Sequence, residues 1–124
     1  MPASKAVIAS TEIAAHAVLE KLGRDLVAID MSDQLVLCEV FLIATGQNAP
    51  QVEAIADEVE RKMTEAGEKP LRRENGSEWI LIDYSDLVVH IQSQELRNYY
   101  MLDRLWNDCP KINLDAVKEA HINA

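Results

Sequence analysis

Asp83 and Asp86 are the residues of this sequence whose types and spacing come closest to a reactive pair. Two neighbouring carboxylates can bind a divalent cation or transfer a proton. These two flank the dipeptide Tyr84-Ser85, which predicts a tight connection between two strands. Aspartate is common in such turns because its side chain accepts hydrogen bonds from nearby backbone amides. The turn interpretation is favoured, and a metal-dependent enzyme is kept as the alternative.

The histidines and cysteines are too scattered to predict a metal site. His16, His90 and His121 have no second ligand at helical spacing, and Cys38 and Cys109 form no C-x-x-C pair. Both cysteines are therefore predicted to be reduced thiols. His90 lies inside a predicted strand, where a hydrogen-bonded structural or interface role is favoured over that of a general base.

Phosphate-binding and nucleophile motifs are absent from the sequence. There is no glycine-rich phosphate loop and no nucleophile elbow. Gly46-Gln47-Asn48 precedes a predicted helix and is interpreted as an ordinary strand-to-helix turn rather than an anion site. The sequence therefore predicts no catalytic residue, no metal and no cofactor, and a protein that is not an enzyme.

Size and charge indicate one acidic domain. The chain has 124 residues, 48% of them hydrophobic, and a net charge of −9, which is enough for a single core. No apolar run reaches the roughly 18 residues of a membrane span, and the N-terminus lacks the order of a signal peptide, so a cytoplasmic protein is expected. An acidic surface argues against binding phosphate backbones. It favours a basic protein partner, or serves solubility alone.

The first half of the chain predicts two helices and two strands of a mixed sheet backed by helices. Apolar residues recur at helical spacing in both helices, and the second strand is a continuous apolar run. The expected elements are a helix over residues 5–22 between Ser4 and Gly23, strands over Leu26–Met31 and Val40–Thr45, and a helix that follows the Asn48 cap, has Pro50 in its first turn and ends at Gly67.

A hairpin of strands Trp79–Asp83 and Asp86–Gln92 is predicted after a short strand at Leu71–Glu74 and a turn at Asn75-Gly76. A loop of two or four residues places Trp79 opposite His90. One face then contains Trp79, Leu81, Val88 and His90, and the other contains Ile80, Ile82, Leu87, Val89 and Ile91. The second set is core, whereas the first is either a second, helix-covered core or an exposed docking patch.

The last predicted helix begins at the Ser93 cap, has Glu95 in its first turn and ends at Pro110. Its apolar residues extend most of the way around the helix, so that some of them need a partner other than the sheet. Residues 111–124 are predicted to be a C-terminal tail, although Leu114, Val117 and Ile122 would also suit a short extra turn. The predicted domain is therefore 1–110.

Five of the six aromatic residues lie in one stretch over residues 79–106, and Phe41 lies elsewhere. Aromatic side chains dominate both cores and interfaces, so this concentration predicts either buried packing or a docking surface.

Five segments of the chain resemble, in order, the ribosomal silencing factor family, also called the Iojap-like family. They are Val27-Ala-Ile-Asp-Met-Ser, Phe41-Leu-Ile-Ala-Thr-Gly, Gln51-Val-Glu-Ala-Ile-Ala-Asp-Glu-Val-Glu, Trp79-Ile-Leu-Ile-Asp-Tyr-Ser-Asp-Leu-Val-Val-His and Arg97-Asn-Tyr-Tyr-Met-Leu-Asp-Arg-Leu-Trp, all within residues 5–110.

The resemblance implies a single α/β (α+β) domain with a mixed, roughly five-stranded sheet and flanking helices. This is a nucleotidyltransferase-like fold without catalytic residues. The resemblance further implies a translational repressor that binds the large ribosomal subunit through ribosomal protein fourteen. It would block joining with the small subunit by steric exclusion and slow translation under starvation or in stationary phase. No membrane and no sequence-specific nucleic acid is implied as a partner.

The resemblance also implies a set of docking residues. The tryptophan and tyrosines would be apolar anchors, and the acidic residues would meet basic side chains of the ribosomal protein. The set is Trp79, Asp83, Tyr84, Asp86, His90, Glu95, Arg97, Tyr99 and Tyr100. Leu102, Leu105 and Trp106 are expected to hold the last helix on the sheet.

Two segments depart from the family pattern. Cys38-Glu39-Val40 replaces the usual Ala-Asp-Tyr, and Gly46-Gln47-Asn48-Ala49 replaces Gly-Thr-Ser-Arg. Glu39 would still supply the negative charge. The rival interpretations are a residual nucleotidyltransferase-like enzyme that uses Asp83, Asp86 and a metal, and a homodimeric adapter whose aromatic patch pairs with itself.

Overall fold

A mixed sheet forms the centre of the fold in the computed structural model, which describes residues 3–34 and 38–122. Within these ranges the sheet has six strands in the order β3-β4-β5-β2-β1-β6, of which β2 and β5 are parallel and the other neighbours antiparallel. The elements are α1 Lys5–Glu20, β1 Arg24–Asp30, β2 Val40–Gly46, α2 Ala49–Glu65, β3 Arg72–Asn75, β4 Trp79–Asp83, β5 Leu87–Ser93, α3 Gln94–Tyr100, α4 Leu102–Leu105, β6 Lys111–Ile112 and α5 Asp115–Ile122. The single mixed α+β domain is confirmed, with β6 added to the five expected strands.

The three predicted helix starts are confirmed by side-chain caps. Ser4 Oγ accepts a hydrogen bond from the N–H of Val7 over 3.3 Å. Asn48 Oδ1 does the same for Gln51 over 2.9 Å, and Ser93 Oγ accepts from Leu96 over 3.2 Å. Each cap satisfies an amide that the first turn of a helix leaves without a backbone partner.

The end of α1 differs from the prediction. The helix stops at Glu20, and Leu22 rather than Gly23 takes the left-handed conformation, with a φ of 62°. Gly23 is needed for space instead, because a Cβ there would lie 2.4 Å from Cγ1 of Val18. The chain turns tightly at this glycine so that β1 can enter the sheet beneath α1.

One face of the sheet, called the first face, packs against α1 and α2 and contains the main core. Its strand residues alternate with those of the opposite face, as the pleat requires. They include Ala28, Leu42, Ala44, Ile80, Ile82, Leu87, Val89 and Ile91. All five hairpin residues that were predicted to be core lie here.

The opposite face of the sheet, called the second face, is only partly covered. A small core of Ile29, Met31, Ile43 and Cys109 forms beneath Leu102 and Trp106, and Phe41 packs beside it. The cover comes from α4 and the segment that follows it, and α3 contacts the ends of β2 and β5. Among the described residues no helix is both long and apolar enough to cross a membrane.

The hairpin of β4 and β5 has a register two residues away from the predicted one. Trp79 lies opposite Gln92 rather than His90. The difference arises at the connection, where Ser85 adopts a φ of 76° and donates its N–H to Asp83 Oδ1 over 2.8 Å. Because the shift is even, the side chains keep the faces that were predicted for them.

The last predicted helix is broken in two. Met101 takes the left-handed conformation with a φ of 47°, ending α3 and starting α4. The apolar residues of this segment could not all face the sheet from one straight helix. The break lets those of α3 and those of α4 point in different directions. Leu102 and Trp106 reach the second face, as expected, but Leu105 stays 68% exposed and does not hold the helix on the sheet.

The interpretation of residues 111–124 as a loose tail is corrected for the described part of that segment. Strand β6 pairs with β1, and α5 packs on α1 with Leu114 and Val117 buried. His121 Nε2 also lies 3.0 Å from His16 Nδ1. Two buried apolar side chains provide the free energy that orders so short an element, which local sequence pattern understates.

Replacing Leu114 with alanine is expected to lower the free energy of unfolding by about 2 kcal/mol, since the side chain is 4% exposed and its removal leaves a cavity. Urea unfolding followed by circular dichroism measures the change, with Glu119→Ala on the exposed side of α5 as the matched control. Equal midpoints for the two variants would mean that α5 does not contribute to the cooperative core.

Candidate docking surface

Six rings form a continuous row across the second face, called here the aromatic row. Each ring contacts the next, with centroids about one ring width apart. The successive separations are 4.9 Å for Tyr99 and Tyr100, 5.0 Å for Tyr100 and Trp79, 5.9 Å for Trp79 and His90, 4.9 Å for His90 and Phe41, and 5.1 Å for Phe41 and Trp106. Phe41, which lies far away in sequence, therefore belongs to the same cluster.

The aromatic row has a covered end and an exposed end. Trp106 and Phe41 pack against the small core of the second face. At the other end Tyr99 is 76% exposed and Tyr100 49% exposed, and Met101 beside them is also exposed. Exposed large apolar groups that lie together mark a site of interaction. One end of the row is thus covered core, and the exposed end keeps the docking alternative as a prediction.

His90 lies in the middle of the row and supports Trp79. Its ring is 6% exposed, and its Nδ1 accepts a hydrogen bond from the indole Nε1 of Trp79 over 3.3 Å. Burial lowers the pKa of His90 from 6.5 to about 4, so the imidazole is neutral near pH 7. This environment agrees with a structural or interface histidine, because the ring is buried and hydrogen-bonded to Trp79.

The two carboxylates at the hairpin turn have different surroundings. Asp83 accepts from the Ser85 N–H and lies 3.4 Å from the Arg72 guanidinium. Asp86 faces a different direction and lines a small cavity beside Val7 of α1, with a volume of about 80 Å³. Within residues 3–34 and 38–122, no group of three or more His, Cys, Asp and Glu side chains is arranged to bind a metal ion. The turn interpretation of Asp83 agrees with this geometry.

Both cysteines are free thiols, and both are buried. Burial raises the pKa of Cys38 to about 11, since a thiolate is disfavoured in apolar surroundings. Cys109 belongs to the small core of the second face. A protonated, buried thiol is a poor nucleophile, so neither the geometry nor the protonation of Cys38 suits catalysis.

Tyr84 does not lie with the other docking candidates. Its ring packs against the main core beneath α1 and α2, and its hydroxyl is buried without a hydrogen-bond partner in the described part of the chain. Burial raises the pKa of this hydroxyl. The hairpin connection turns the side chain towards the first face, which the tight-turn prediction could not specify. This packing does not favour docking by Tyr84, so Tyr84 is left out of the surface proposed below and its predicted docking role stays a prediction.

Arg97 is only 7% exposed, and its side chain holds α3 from within the fold. Its Nη1 donates to Thr45 Oγ1 at the end of β2 over 2.8 Å, and its Nε donates to Asp103 Oδ1 on α4 over 3.3 Å. These bonds join three elements at the point where the chain breaks at Met101. Arg97 thus positions the tyrosines of α3, and its own predicted docking role stays a prediction.

Removing the Arg97 guanidinium is expected to destabilise the fold. Arg97→Met should lower the free energy of unfolding by about 1–2 kcal/mol, because the buried Thr45 hydroxyl loses its partner while half-exposed Asp103 turns to solvent. Denaturant unfolding checks this against Arg104→Met, an exposed arginine on α4. If the two variants unfold alike, the buried bonds do not stabilise the native state.

The acidic docking candidates differ in exposure, and the two segments that depart from the family pattern make contacts of their own. Glu95 and Asp86 are exposed, and Asp83 is partly so. Glu39 lies beside Asp86, to whose carbonyl its N–H donates over 2.9 Å, and its Oε1 accepts from the Ser4 N–H over 2.7 Å. Gln47 precedes α2, and its N–H donates to the Gln51 side chain over 2.7 Å. Glu39 therefore helps to start α1 and is not a free negative charge.

Three residues of this face were not predicted as site residues. Met101 adds exposed apolar surface beside Tyr100. Phe41 extends the row. Alternation along β2 could have placed it on the face opposite to Leu42, which is the second face. Gln92 is a fully buried polar residue directly opposite Trp79. Gln92 is two residues after His90 in β5, and this spacing predicts that both side chains lie on the second face.

Comparison with known proteins identifies the family to which the sequence is similar. The family model described as ribosomal silencing factor during starvation matches residues 4–124. A ribosomal silencing factor RsfS of Bacillus subtilis is 38% identical over 106 residues, 84% of this chain and 90% of that protein. One of Halalkalibacterium halodurans is 36% identical over 108 residues, 86% of this chain and 92% of that protein.

Solved structures agree with these matches. A crystal structure of a protein from Chromobacterium violaceum superimposes with a TM-score of 0.78 at 32% identity, covering 82% of this chain and 86% of that one. A second, from Bacillus halodurans, gives 0.75 at 33% identity, covering 90% of this chain and 100% of that one. The curated relatives are named for the silencing of ribosomes and not for a reaction. On the family model and these identities, the chain is a member of the ribosomal silencing factor family.

Proposed function

We propose that this chain represses translation in the cytoplasm by occupying the large ribosomal subunit. It binds through ribosomal protein fourteen, and the bound domain excludes the small subunit without any reaction. Translation is thereby slowed under starvation or in stationary phase. The observation that supports this most directly is the exposed end of the aromatic row at Tyr99 and Tyr100.

The chemistry of the surface favours a basic protein as the partner. Trp79, Tyr99 and Tyr100 provide large apolar contacts of the kind that dominate binding energy. Asp83, Asp86 and Glu95 are acidic residues of the hairpin and α3, and the chain as a whole has a net charge of −9. Acidic groups of this kind steer a Lys- and Arg-rich surface into register and repel bare phosphate.

Co-sedimentation with isolated large subunits tests the binding step. Light scattering during subunit joining, at saturating protein, tests the exclusion step. Normal joining in the presence of bound protein would contradict the mechanism, and loss of binding when ribosomal protein fourteen is depleted from the subunits would support the assigned partner.

The two rival functions are separated by simple measurements on the free protein. A residual enzyme predicts heat on titration with magnesium and a nucleotide, which calorimetry detects. A homodimeric adapter predicts dimers at micromolar concentration, which static light scattering detects. A dimer that dissociates on mixing with large subunits would still agree with the proposed repressor.

A further inference from the structure

The layer beside Trp79 contains polar atoms that the protein itself does not satisfy. Gln92 is fully buried, and both atoms of its carboxamide lack a hydrogen-bond partner among the residues that the structure describes. The same is true of Nε2 of His90. Native proteins pair nearly all buried polar atoms, because an unpaired one destabilises the fold. Three such atoms on neighbouring positions of one strand therefore require an explanation.

Strand register brings these atoms together. Gln92 lies between Trp79 on β4 and Thr45 on β2, and His90 is two residues earlier on the same face, about 7 Å away. Because Nδ1 of His90 accepts the indole N–H of Trp79, a neutral ring must carry its proton on Nε2. The layer therefore offers one ring donor, one amide donor group and one amide acceptor, and the adjacent Arg97 guanidinium is already paired with Thr45 and Asp103.

We propose that Gln92 and the Nε2–H of His90 form a recognition site for a peptide group of the protein partner, either in its backbone or in an Asn or Gln side chain. This inference rests on the proposed function. A peptide group presents one carbonyl and one N–H, which complement the carboxamide of Gln92, and its carbonyl can also accept from His90. Phosphate and carboxylate are poorer matches, because the neighbouring Arg97 guanidinium already donates to Thr45 and Asp103.

Tyr100 is the exposed ring that lies next to Trp79, and its movement would open the layer towards a partner. This side chain is 49% exposed, and its ring contacts are to Trp79 and Tyr99. It is the last residue of α3, directly before the left-handed Met101. Exposed side chains change rotamer within nanoseconds. The free protein keeps the unpaired atoms, and binding satisfies them, which is the pattern expected where a local rule is violated for function.

The variant Gln92→Leu separates recognition from stability, because it removes the unpaired amide and keeps a similar volume. The midpoint of thermal unfolding should rise by about 3 °C or more, while the dissociation constant for isolated large subunits should rise about tenfold or more. The matched control is Tyr84→Phe, which removes the buried, unpaired hydroxyl on the first face. It should also raise the midpoint but leave binding unchanged.

Several results would overturn the inference. They are binding of the Gln92→Leu variant within twofold of the unchanged protein, a lowered thermal midpoint for that variant, or an equal loss of binding in the Tyr84→Phe control. The titration is repeated with purified ribosomal protein fourteen and with protein-free ribosomal RNA, and a variant effect seen only with the RNA contradicts a peptide ligand. If the unchanged protein fails to bind large subunits at all, the proposed function fails together with the inference.

Discussion

Replacing Trp79 with alanine is expected to weaken binding to isolated large subunits about 30-fold or more, equivalent to about 2 kcal/mol. Trp79 is the ring that connects exposed Tyr100 to buried His90, so its loss removes apolar contact area and also frees the neighbouring tyrosine. Binding is measured by quantitative co-sedimentation, or by fluorescence anisotropy of labelled protein against a subunit titration.

A second variant guards against an effect through folding, because Trp79 is half-buried and hydrogen-bonded. Tyr99 is 76% exposed and has a ring contact only to Tyr100 among the aromatic contacts of the described residues. Tyr99→Ala should therefore weaken binding and leave the unfolding midpoint unchanged. Leu22 is the matched control, since it is equally exposed at 77% and lies at the end of α1.

The comparison of these variants has a clear negative outcome. If folded Trp79→Ala and Tyr99→Ala bind as tightly as Leu22→Ala, the aromatic row is not the docking surface. The exposed rings would then serve another contact.

Lowering the pH from 7 to 4.5 is expected to cost roughly 2–3 kcal/mol of stability through His90 alone. Burial lowers the pKa of His90 from 6.5 to about 4 in the folded state. Above pH 6.5 the histidine is neutral in both the folded and the unfolded protein, and the stability is fully present. As the pH falls from 6.5 towards 4, only the unfolded chain takes up the proton, and the native state is progressively destabilised.

The variant His90→Gln isolates this contribution, because glutamine can accept the indole N–H of Trp79 but does not titrate. Urea unfolding at pH 7 and pH 4.5 should show a smaller loss of stability in the variant than in the unchanged protein. Other groups, such as Asp30, whose pKa is lowered in the native state although burial opposes the shift, affect both proteins equally. The same pH dependence in both would show that the folded protein admits a charged imidazole.

Local features of the chain were predictable because their physics is local. Ser4, Asn48 and Ser93 cap helices by bonding amides three residues away, and such bonds depend on little else. Side chains alternate between the two faces along β4 and β5. The predicted division between core and second face was therefore correct, although the predicted register of the hairpin was wrong by two residues. The family resemblance, which rests on motif order, identified the family correctly.

The candidate site was only partly predictable, because membership of a surface depends on distant elements. Whether Tyr84 faces the helices or the open face depends on the exact hairpin connection, and it faces the helices. Arg97 looks like an exposed helix residue in sequence, yet Thr45, 52 positions earlier, draws it into the interior. The helix breaks at Met101, where no glycine in the sequence predicts a break. This break divides the apolar residues of α3 and α4 between core and solvent.

The sequence by itself determined that this chain is one acidic α+β domain with its aromatic residues concentrated near the end, and that no assembled catalytic motif accompanies them. Periodicity, caps and composition suffice for such statements, since each depends on residues close together in the chain. Only the tertiary structure decided how the aromatic residues are used. The parallel pairing of β2 with β5 brings Phe41 beside His90, α4 covers one end of the row, and nothing in the described chain covers Tyr99 and Tyr100. Burial and exposure within one cluster are set by contacts between residues far apart in sequence, and those contacts are not encoded in any single segment.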